Sequence, residues 1–379
     1  MNSQTPSSRF SIDQVLAWRM RRQFLDGPGG SSAEAVVGRL CGVQAQVASA
    51  AETAVAVRRE PPAGGETGTA LDRRTLVKVW AMRGTLHLLT AGDVADFLSL
   101  LAAARTWEKG SWQRTFATTG QITAIAAAVG EILPGRVLTR EQLAGEILER
   151  TGDASLTGPL SSGWGAVLKP LAWQGLLCHG PGDRNRATFT SPATWIEGWT
   201  GLPEPDEAAM RVIPAYLGAF GPATMESFDQ WLIRGASRKA SLRKWFGDLS
   251  RSGVLTGVTV DGVAAYARTV DLDDIATAEP APRVRLLPAF DQFVLGPGTR
   301  DEHVVAPHRR PLISKAAGWI SPVVVAGGRV AGVWEQTDSG VTVTLFGEAG
   351  RVPEEDLTAE AGRIAAISGG RPDLVVRTV

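Results

Sequence analysis

Between residues 138 and 270 the apolar positions pass twice through the same series of spacings. One copy reads LTREQLAGEILER, then GWGAVLKPLAWQGLLCHG, then PGDRNRATFTSP. The other reads ATMESFDQWLIRG, then SLRKWFGDLSRSG, then VLTGVTVDGVAAYARTV. Each opens on a threonine ahead of a helical pattern, Thr139 with Glu141 and Thr224 with Glu226, and a capping threonine with an acid close behind is a helix-start signal. A second helix follows in each, its stripe formed by Val167, Leu168, Leu171 and Leu176 in one copy and by Leu242, Trp245, Phe246 and Leu249 in the other. Both then pass through glycine into two short β-prone runs. The joining turns are Pro181-Gly182-Asp183 and Asp261-Gly262.

Helix, turn, helix, hairpin is the arrangement of a winged helix, a variant of the helix-turn-helix. The N-terminal third holds a looser third copy. Helices are expected over 11–24, 31–41 and 50–58, and VKVWAMRGTLHLLT reads as a hairpin turning at Arg83-Gly84. Thr90 with Asp93 then caps a further helix running toward Trp107. The last hundred or so residues change character: 280–288 and 322–334 are strand-like, and PVVVAGGRVAGVW turns at Gly327-Gly328, a strong two-residue hairpin signal. The segments 60–70 (EPPAGGETGTA) and 202–208 (around LPEPDEA) read as flexible linkers. The expected fold is α+β, three tandem winged-helix units with a β-rich C-terminal region. The expected bounds are 1–125, 126–200, 201–278 and 279–379, the last packing back on the first. Winged helices also serve as protein-docking modules, so the fold alone does not fix a role.

Composition narrows the classes. Of 379 residues 44% are apolar and 21% charged, as in a soluble globular protein. Formal net charge is zero, so any nucleic-acid surface must be a local basic face. The two cysteines, Cys41 and Cys178, stand far apart, which suits a reducing compartment and argues against a disulfide framework or a zinc site. The four histidines show no metal-ligand spacing. An export signal and apolar runs of about 18 residues are lacking. The expectation is a cytoplasmic protein with no metal and no cofactor: phosphate-loop, dinucleotide and iron–sulfur motifs are missing too. Twelve tryptophans read mostly as core anchors, although a few on a concave surface would suit base stacking.

Charge is concentrated in one place. Arg234, Arg238, Lys239, Arg243, Lys244 and Arg251 stand against the single acid Asp248, where a winged helix sets its groove-facing residues. Arg73, Arg74, Lys78 and Arg83 make a second cluster near the first hairpin. The competing reading is a solvated helix face.

The stretch CGVQAQVASAAE poses the chemical question. On one continuous helix Gln44 and Gln46 would lie about 200° apart and could not share a substrate. Gly42, however, is a helix stop, and Ser49-Ala-Ala-Glu52 reads as a capping box that starts a new helix. The residues between are an extended link, in which positions i and i+2 point to the same side. Two neutral amides there can hold a water and aim its lone pair, and their oxygens can stabilise a positive sugar; neither can strip a proton. That suffices only where the leaving group departs readily, as a cationic N7- or N3-alkylated purine does. An uncharged base would need a stronger acid or base. The alternative is that both glutamines satisfy backbone groups in a turn.

QAQ at 44–46, VWAMRGTLHLLT at 79–90, LLPAFDQFVLG at 286–296 and GGRVAGVWE together resemble the winged-helix DNA glycosylases of the AlkZ/YcaQ family, in order over nearly the whole chain. The resemblance implies a C-shaped arrangement around a channel for double-stranded DNA. It also implies a monofunctional glycosylase for N7-alkylated purines, in some members including interstrand crosslinks. The family's catalytic motif, Gln, an apolar residue, then Gln or Asp, falls on Gln44, Ala45 and Gln46. Glutamine at the second position is similar to the crosslink-unhooking branch, although Ala45 is small for the middle position. A base tied to both strands cannot swing into a tight pocket, so an open site is expected and a closed pocket around Gln44 would count against it.

Other residues are candidates for the DNA or lesion cleft. Arg83, Thr85 and His87 alternate along the first hairpin and share a face. Asp291 sits at a strand end, as an orienting group or a turn cap, and Arg329 follows the Gly327-Gly328 turn, where arginine can enter a narrow groove. His303 and His308 read as surface residues; Trp107 and Trp112 read as core. No lysine stands out as a Schiff-base nucleophile, which agrees with a glycosylase without lyase activity, working as a monomer. The role is repair or self-protection by a producer of a DNA-alkylating compound, and the Ala-, Gly-, Val- and Arg-rich composition suits a bacterium of GC-rich genome. The rival from another class is a winged-helix regulator that binds DNA without breaking bonds.

Overall fold

The computed structural model describes residues 8–161, 165–183 and 186–379. The lead-in to the second helix of the first copy, including Trp164, and the tip of its hairpin lie outside these residues. β1 (Ser8–Phe10) and α1 (Ile12–Arg22) come first, α1 opened by a capping box between Ser11 and Gln14. Then follow α2 (Ala33–Arg39), β2 (Val43–Gln44), α3 (Ala48–Ala56), α4 (Glu66–Asp72), β3 (Leu76–Trp80) and β4 (Leu86–Thr90), the sheet ordered β2-β4-β3. α5 (Val94–Ala103) and α6 (Gly110–Thr115) lead to the next set: α7 (Thr119–Ile132), β5 (Leu138–Thr139), α8 (Arg140–Thr151), α9 (Thr157–Ser161), α10 (Leu168–Trp173), β6 (Cys178–His179) and β7 (Thr188–Thr190), in sheet order β5-β7-β6. After α11 (Pro192–Trp195) come α12 (Pro205–Phe220), α13 (Met225–Ile233), α14 (Lys239–Arg251), β8 (Leu255–Val260) and β9 (Val263–Arg268), with Ala223 bridging to Tyr266 where the short first strand of the other two sets lies. Helix, strand, helix, helix, then two strands is the winged-helix order, and it occurs three times.

α15 (Leu272–Ala276) leads to the C-terminal region: β10 (Val284–Leu287), α16 (Gln292–Leu295), α17 (Arg310–Ile313), β11 (Val323–Ala326), β12 (Arg329–Thr337), β13 (Gly340–Leu345), α18 (Glu354–Ser368) and β14 (Leu374–Thr378). Its five strands lie in chain order, and β11 turns into β12 at Gly327-Gly328 as expected. α18 was not anticipated.

Several sequence expectations are corrected. The segment 60–70 is not a linker, because it contains the start of α4, the third helix of the first unit. α4 forms because the Glu52 carboxylate, reaching over from α3, accepts from the backbone N–H groups of Glu66 (3.1 Å) and Thr67 (3.2 Å). An anion at a helix N-terminus satisfies orphan donors and the helix dipole together. Glu52 therefore caps α4, not its own helix; α3 starts one residue before Ser49, with Val47 at its cap and no side-chain bond there. Likewise 202–208 is half helix: α12 begins at Pro205. At Thr139 the capping partner is Gln142, at the third helical position, rather than Glu141. The helix after Thr90 ends at Ala103, short of Trp107.

The helix expected over 11–24, α1, packs away from its neighbours in sequence. Arg19 on it donates to the carbonyls of Gly221 and Pro222 (both 3.1 Å), and Leu16 and Met20 join the core of the C-terminal sheet. The first unit's wing is equally enclosed. Val79 is fully buried, and Trp80 stacks on Phe189 of β7 with ring centroids 5.7 Å apart. The core there is continuous from β3 through α7 and α12 to α14. On α14 the stripe Leu242, Trp245, Phe246 and Leu249 is buried as its spacing requires, each contributing roughly 1.5–3 kcal/mol.

Candidate active site at the junction of three winged helices

Gln44 is the last residue of β2, paired across β4 with His87. α2 stops before Gly42, which takes φ +99° and returns its N–H to the Val37 carbonyl, so the chain enters β2 extended. The extended run expected between Gly42 and α3 is shorter than its spacing implies: β2 ends at Gln44 and the chain bends at Gln46 and Val47 before α3 begins. Gln44 is 6% exposed, whereas Gln46, beyond the strand end, is exposed to solvent. Ala45 between them is buried and donates its N–H to Leu86 (2.7 Å). The two amides thus differ in depth: one anchored in the sheet, one open.

Arg83 determines how the anchored amide is held. It sits in the turn between β3 and β4 at φ 58°, not in the strand, so it does not alternate with Thr85 and His87 as expected. Its guanidinium donates to Gln44 Oε1 (3.4 Å) and to the Trp231 carbonyl near the end of α13 (3.1 Å). Arg83 offers donors only, so it must face the amide oxygen, and that oxygen keeps a second lone pair for another proton. Burial and the nearby Arg234 lower its pKa to about 10, still cationic at neutral pH. The carbonyl it caps lies at a helix C-terminus, where a cation is favoured.

His87 is fully buried. Its Nδ1 lies 3.0 Å from the Thr85 carbonyl, and its Nε2 has no hydrogen-bond partner. Nδ1 therefore carries the proton and Nε2 presents a lone pair. Burial, with Arg83 adding to it, pushes its pKa down to about 3. The imidazole is neutral, a poor general acid near pH 7, and shares a sheet face with Gln44 because directly opposed residues do. The Thr85 hydroxyl bonds back to Met82 (3.1 Å) and closes the turn. Thr85 and His87 are parts of the turn and sheet that hold the site, not a free wing tip.

A cleft of about 990 Å³ opens beside Arg83, bordered also by Arg19, Trp231, Arg234, Asp301 and His303. Gln44 is not among its lining residues. Further along the surface α14 carries exposed Arg238, Lys239 and Arg243, for which the described residues offer no ion-pair partner. Lys244 differs: it is held by Asp206 (2.9 Å) and Asp248 (3.1 Å), and Arg251 also pairs with Asp248. The expected single acid is thus joined by Asp206 from α12, which fixes one flank of the helix.

Two expected cleft residues are placed elsewhere. Asp291 is 1% exposed and forms a bidentate pair with Arg58 (both contacts 2.7 Å), while accepting from the N–H of Phe293 (2.8 Å). It joins the C-terminal region to the first unit and caps α16; breaking such a buried pair costs about 3–5 kcal/mol. Arg329 pairs with Asp13 on α1 (2.7 Å), and the turn before it is packed down, since a Cβ on Gly328 would lie 2.8 Å from that of Leu16. His308 is exposed and bound to Glu348 (2.7 Å); His303 is exposed at the cleft rim. Trp107 is buried and Trp112 half-buried, as expected. Lys169 was missed from the sequence: an isolated lysine in an apolar helix gives no signal until the fold sets it against Gly84.

Three winged-helix units, a recognition helix with Arg238, Lys239 and Arg243 unpaired among the described residues, and a buried amide held by Arg83 where the units meet define the class of the protein. The chain belongs to the AlkZ-like DNA glycosylase family, whose model matches residues 37–367. It is a DNA glycosylase, a hydrolase. It is 49% identical, over 94% of its length and 96% of the relative's, to the interstrand DNA cross-link repair glycosylase of Streptomyces sahachiroi. The solved structure of the S. sahachiroi DNA glycosylase AlkZ superposes with a TM-score of 0.92 at 48% identity, covering 98% of this chain and 100% of that one. None of the helices is long and apolar enough to cross a membrane among the described residues.

Proposed function

We propose that this glycosylase hydrolyses the N-glycosidic bond of cationic N7-alkylated purines in duplex DNA, including purines held in an interstrand crosslink. Water attacks the anomeric carbon as the bond to N9 breaks, and the bonding pair neutralises the purine cation. The water's proton passes to solvent, leaving an abasic site. Gln46, open to solvent, meets the incoming lesion; Gln44, its oxygen fixed by Arg83, accepts a hydrogen bond from the water on its remaining lone pair. Positioning and electrostatics are worth on the order of 3 kcal/mol per well-placed group. They suffice because the substrate carries its own activation. Arg238, Lys239 and Arg243 hold the backbone of the duplex, which runs in a channel formed by the three units. The enzyme acts as a cytoplasmic monomer without lyase activity, in repair or in self-protection against a DNA-alkylating compound.

The observation that carries this reading is the exposure of Gln46 beside an anchored Gln44. A crosslinked base cannot leave the duplex for a closed pocket, and an open amide can go to it. The similarity to the interstrand DNA cross-link repair glycosylase of S. sahachiroi supports the crosslink substrate. The test is release of free base from duplexes carrying one N7-methylguanine or one N7–N7 crosslink, against undamaged duplex. Release from both lesions and none from undamaged DNA is expected. Binding without release from either would overturn the cationic N7-alkylpurine as the substrate.

A further inference from the structure

We infer that Arg83, Lys169 and Arg234, one from each winged-helix unit, form a grip for a single backbone phosphate of the lesion strand, beside Gln44. The inference rests on the glycosylase reading and adds a defined contact to it. Arg83 uses N–H donors on Gln44 and Trp231 and has others left, since guanidinium offers five. Arg234 occupies the left-handed position that closes α13 (φ 57°) and borders the same cleft. Lys169 comes from the first turn of α10; a Cβ added to Gly84, next to Arg83, would lie 3.8 Å from its Cδ.

None of the three has a carboxylate partner among the described residues; burial first, and then the nearby Arg234, lowers the pKa of both Arg83 and Lys169. The acids of the cleft are engaged or remote. Asp301 pairs with Arg19 (3.3 Å), and Asp261 accepts from the N–H of Ile12 (3.3 Å). Glu226 lies in the first turn of α13, about 12 Å along the axis from Arg234. Elsewhere in this chain cations such as Arg136, Arg211 and Lys244 are matched with acids. Three gathered like charges are unfavourable until an anion joins them, and two guanidinium forks with an ammonium suit phosphate oxygens. Chemistry gives the same answer. A sugar cation forming beside an unneutralised Arg83 would be repelled, and a phosphate there removes that repulsion.

The test uses duplexes with one N7-methylguanine in which each nearby phosphate in turn is replaced by neutral methylphosphonate. Binding and single-turnover base release are measured for the wild type and for a protein carrying Arg234→Asn and Lys169→Met. Asparagine tolerates the left-handed backbone and methionine keeps the aliphatic stem. One methylphosphonate position should weaken wild-type binding about tenfold, the size of one charge-assisted hydrogen bond, and should weaken the double variant, in which only Arg83 of the three remains, much less. The slope of log affinity against log salt should flatten by no more than about 0.9, because the three cations neutralise one phosphate. Losses that multiply at every position would overturn the grip. So would protection of only the wild type by inorganic phosphate with no methylphosphonate position effect, which would assign the cluster to a free anion. If thermal melting shows the double variant unfolded, Lys169→Met alone gives the same test with a smaller effect at the same methylphosphonate position. Failure of the wild type to release N7-methylguanine would sink the glycosylase reading while leaving the binding comparison readable.

Discussion

The first and third winged-helix units have the same order of elements and treat their wings in opposite ways. The third wing, β8 and β9, leaves Val263 64% exposed at its turn, and the recognition helix before it presents Arg238, Lys239 and Arg243 to solvent. The first wing is enclosed. Val79 is fully buried, Trp80 packs on the second unit, and Arg83 at the turn bonds to the third. One wing is an exposed surface, which the proposed function gives to the duplex; the other is an interior element that holds Gln44 where the units meet. A shared topology therefore does not imply a shared use, and the burial of each wing separates the two.

The sharpest way to break this comparison is to place the same charge in both wings. Val79→Asp should destabilise by more than about 4 kcal/mol, because it buries an unpaired carboxylate, while Val263→Asp should stay within about 0.5 kcal/mol. Denaturant unfolding of the two variants decides it. Similar losses in both would mean that the first wing is not enclosed.

Acid provides the next largest effect. Burial pushes the imidazoles of His87 and His179 down to about 3, with Arg83 and Lys78 adding to it. In the unfolded chain they titrate near 6.5. Between those values the unfolded state binds more protons, so their contribution is fully present above about pH 6.5 and is lost as pH falls toward 3. By pH 5 each should cost about 2 kcal/mol. Both flank the first wing, one on β4 and one against Trp80, so His179→Phe should remove its share of the pH dependence in thermal melts between pH 7.5 and 5. An unchanged profile would show that His179 is not held neutral.

The smallest effect per residue belongs to the third unit. Replacing Arg238, Lys239 and Arg243 by glutamine should flatten the salt dependence of duplex binding by about 2.7 units on the log–log slope. Base release at saturating protein should be unchanged. A lower saturated rate would make α14 part of the chemistry.

Much of this was legible in the sequence where a signal is local. The stripe on α14, the Gly327-Gly328 turn and the break between α2 and α3 that carries Gln44 follow from spacing and from glycine alone. What escaped depended on partners distant in the chain. α4 is hidden in a run of Pro, Gly and Thr because its cap, Glu52, comes from another helix. Asp291 looked available until Arg58, 233 positions away, met it. Lys169 had no meaning before the first wing lay against α10. The unequal depth of Gln44 and Gln46 is likewise a property of β2 ending between them, which alternation alone does not tell.

The central claim is that this amide pair performs the chemistry. Single-turnover release of N7-methylguanine by the wild type, Gln44→Ala and Gln46→Ala, with duplex affinity measured alongside, tests it most directly. The account predicts rates lowered by about 10²–10³ in both variants at nearly unchanged affinity. Rates within twofold of the wild type in both would contradict it and leave the two glutamines as turn-stabilising residues.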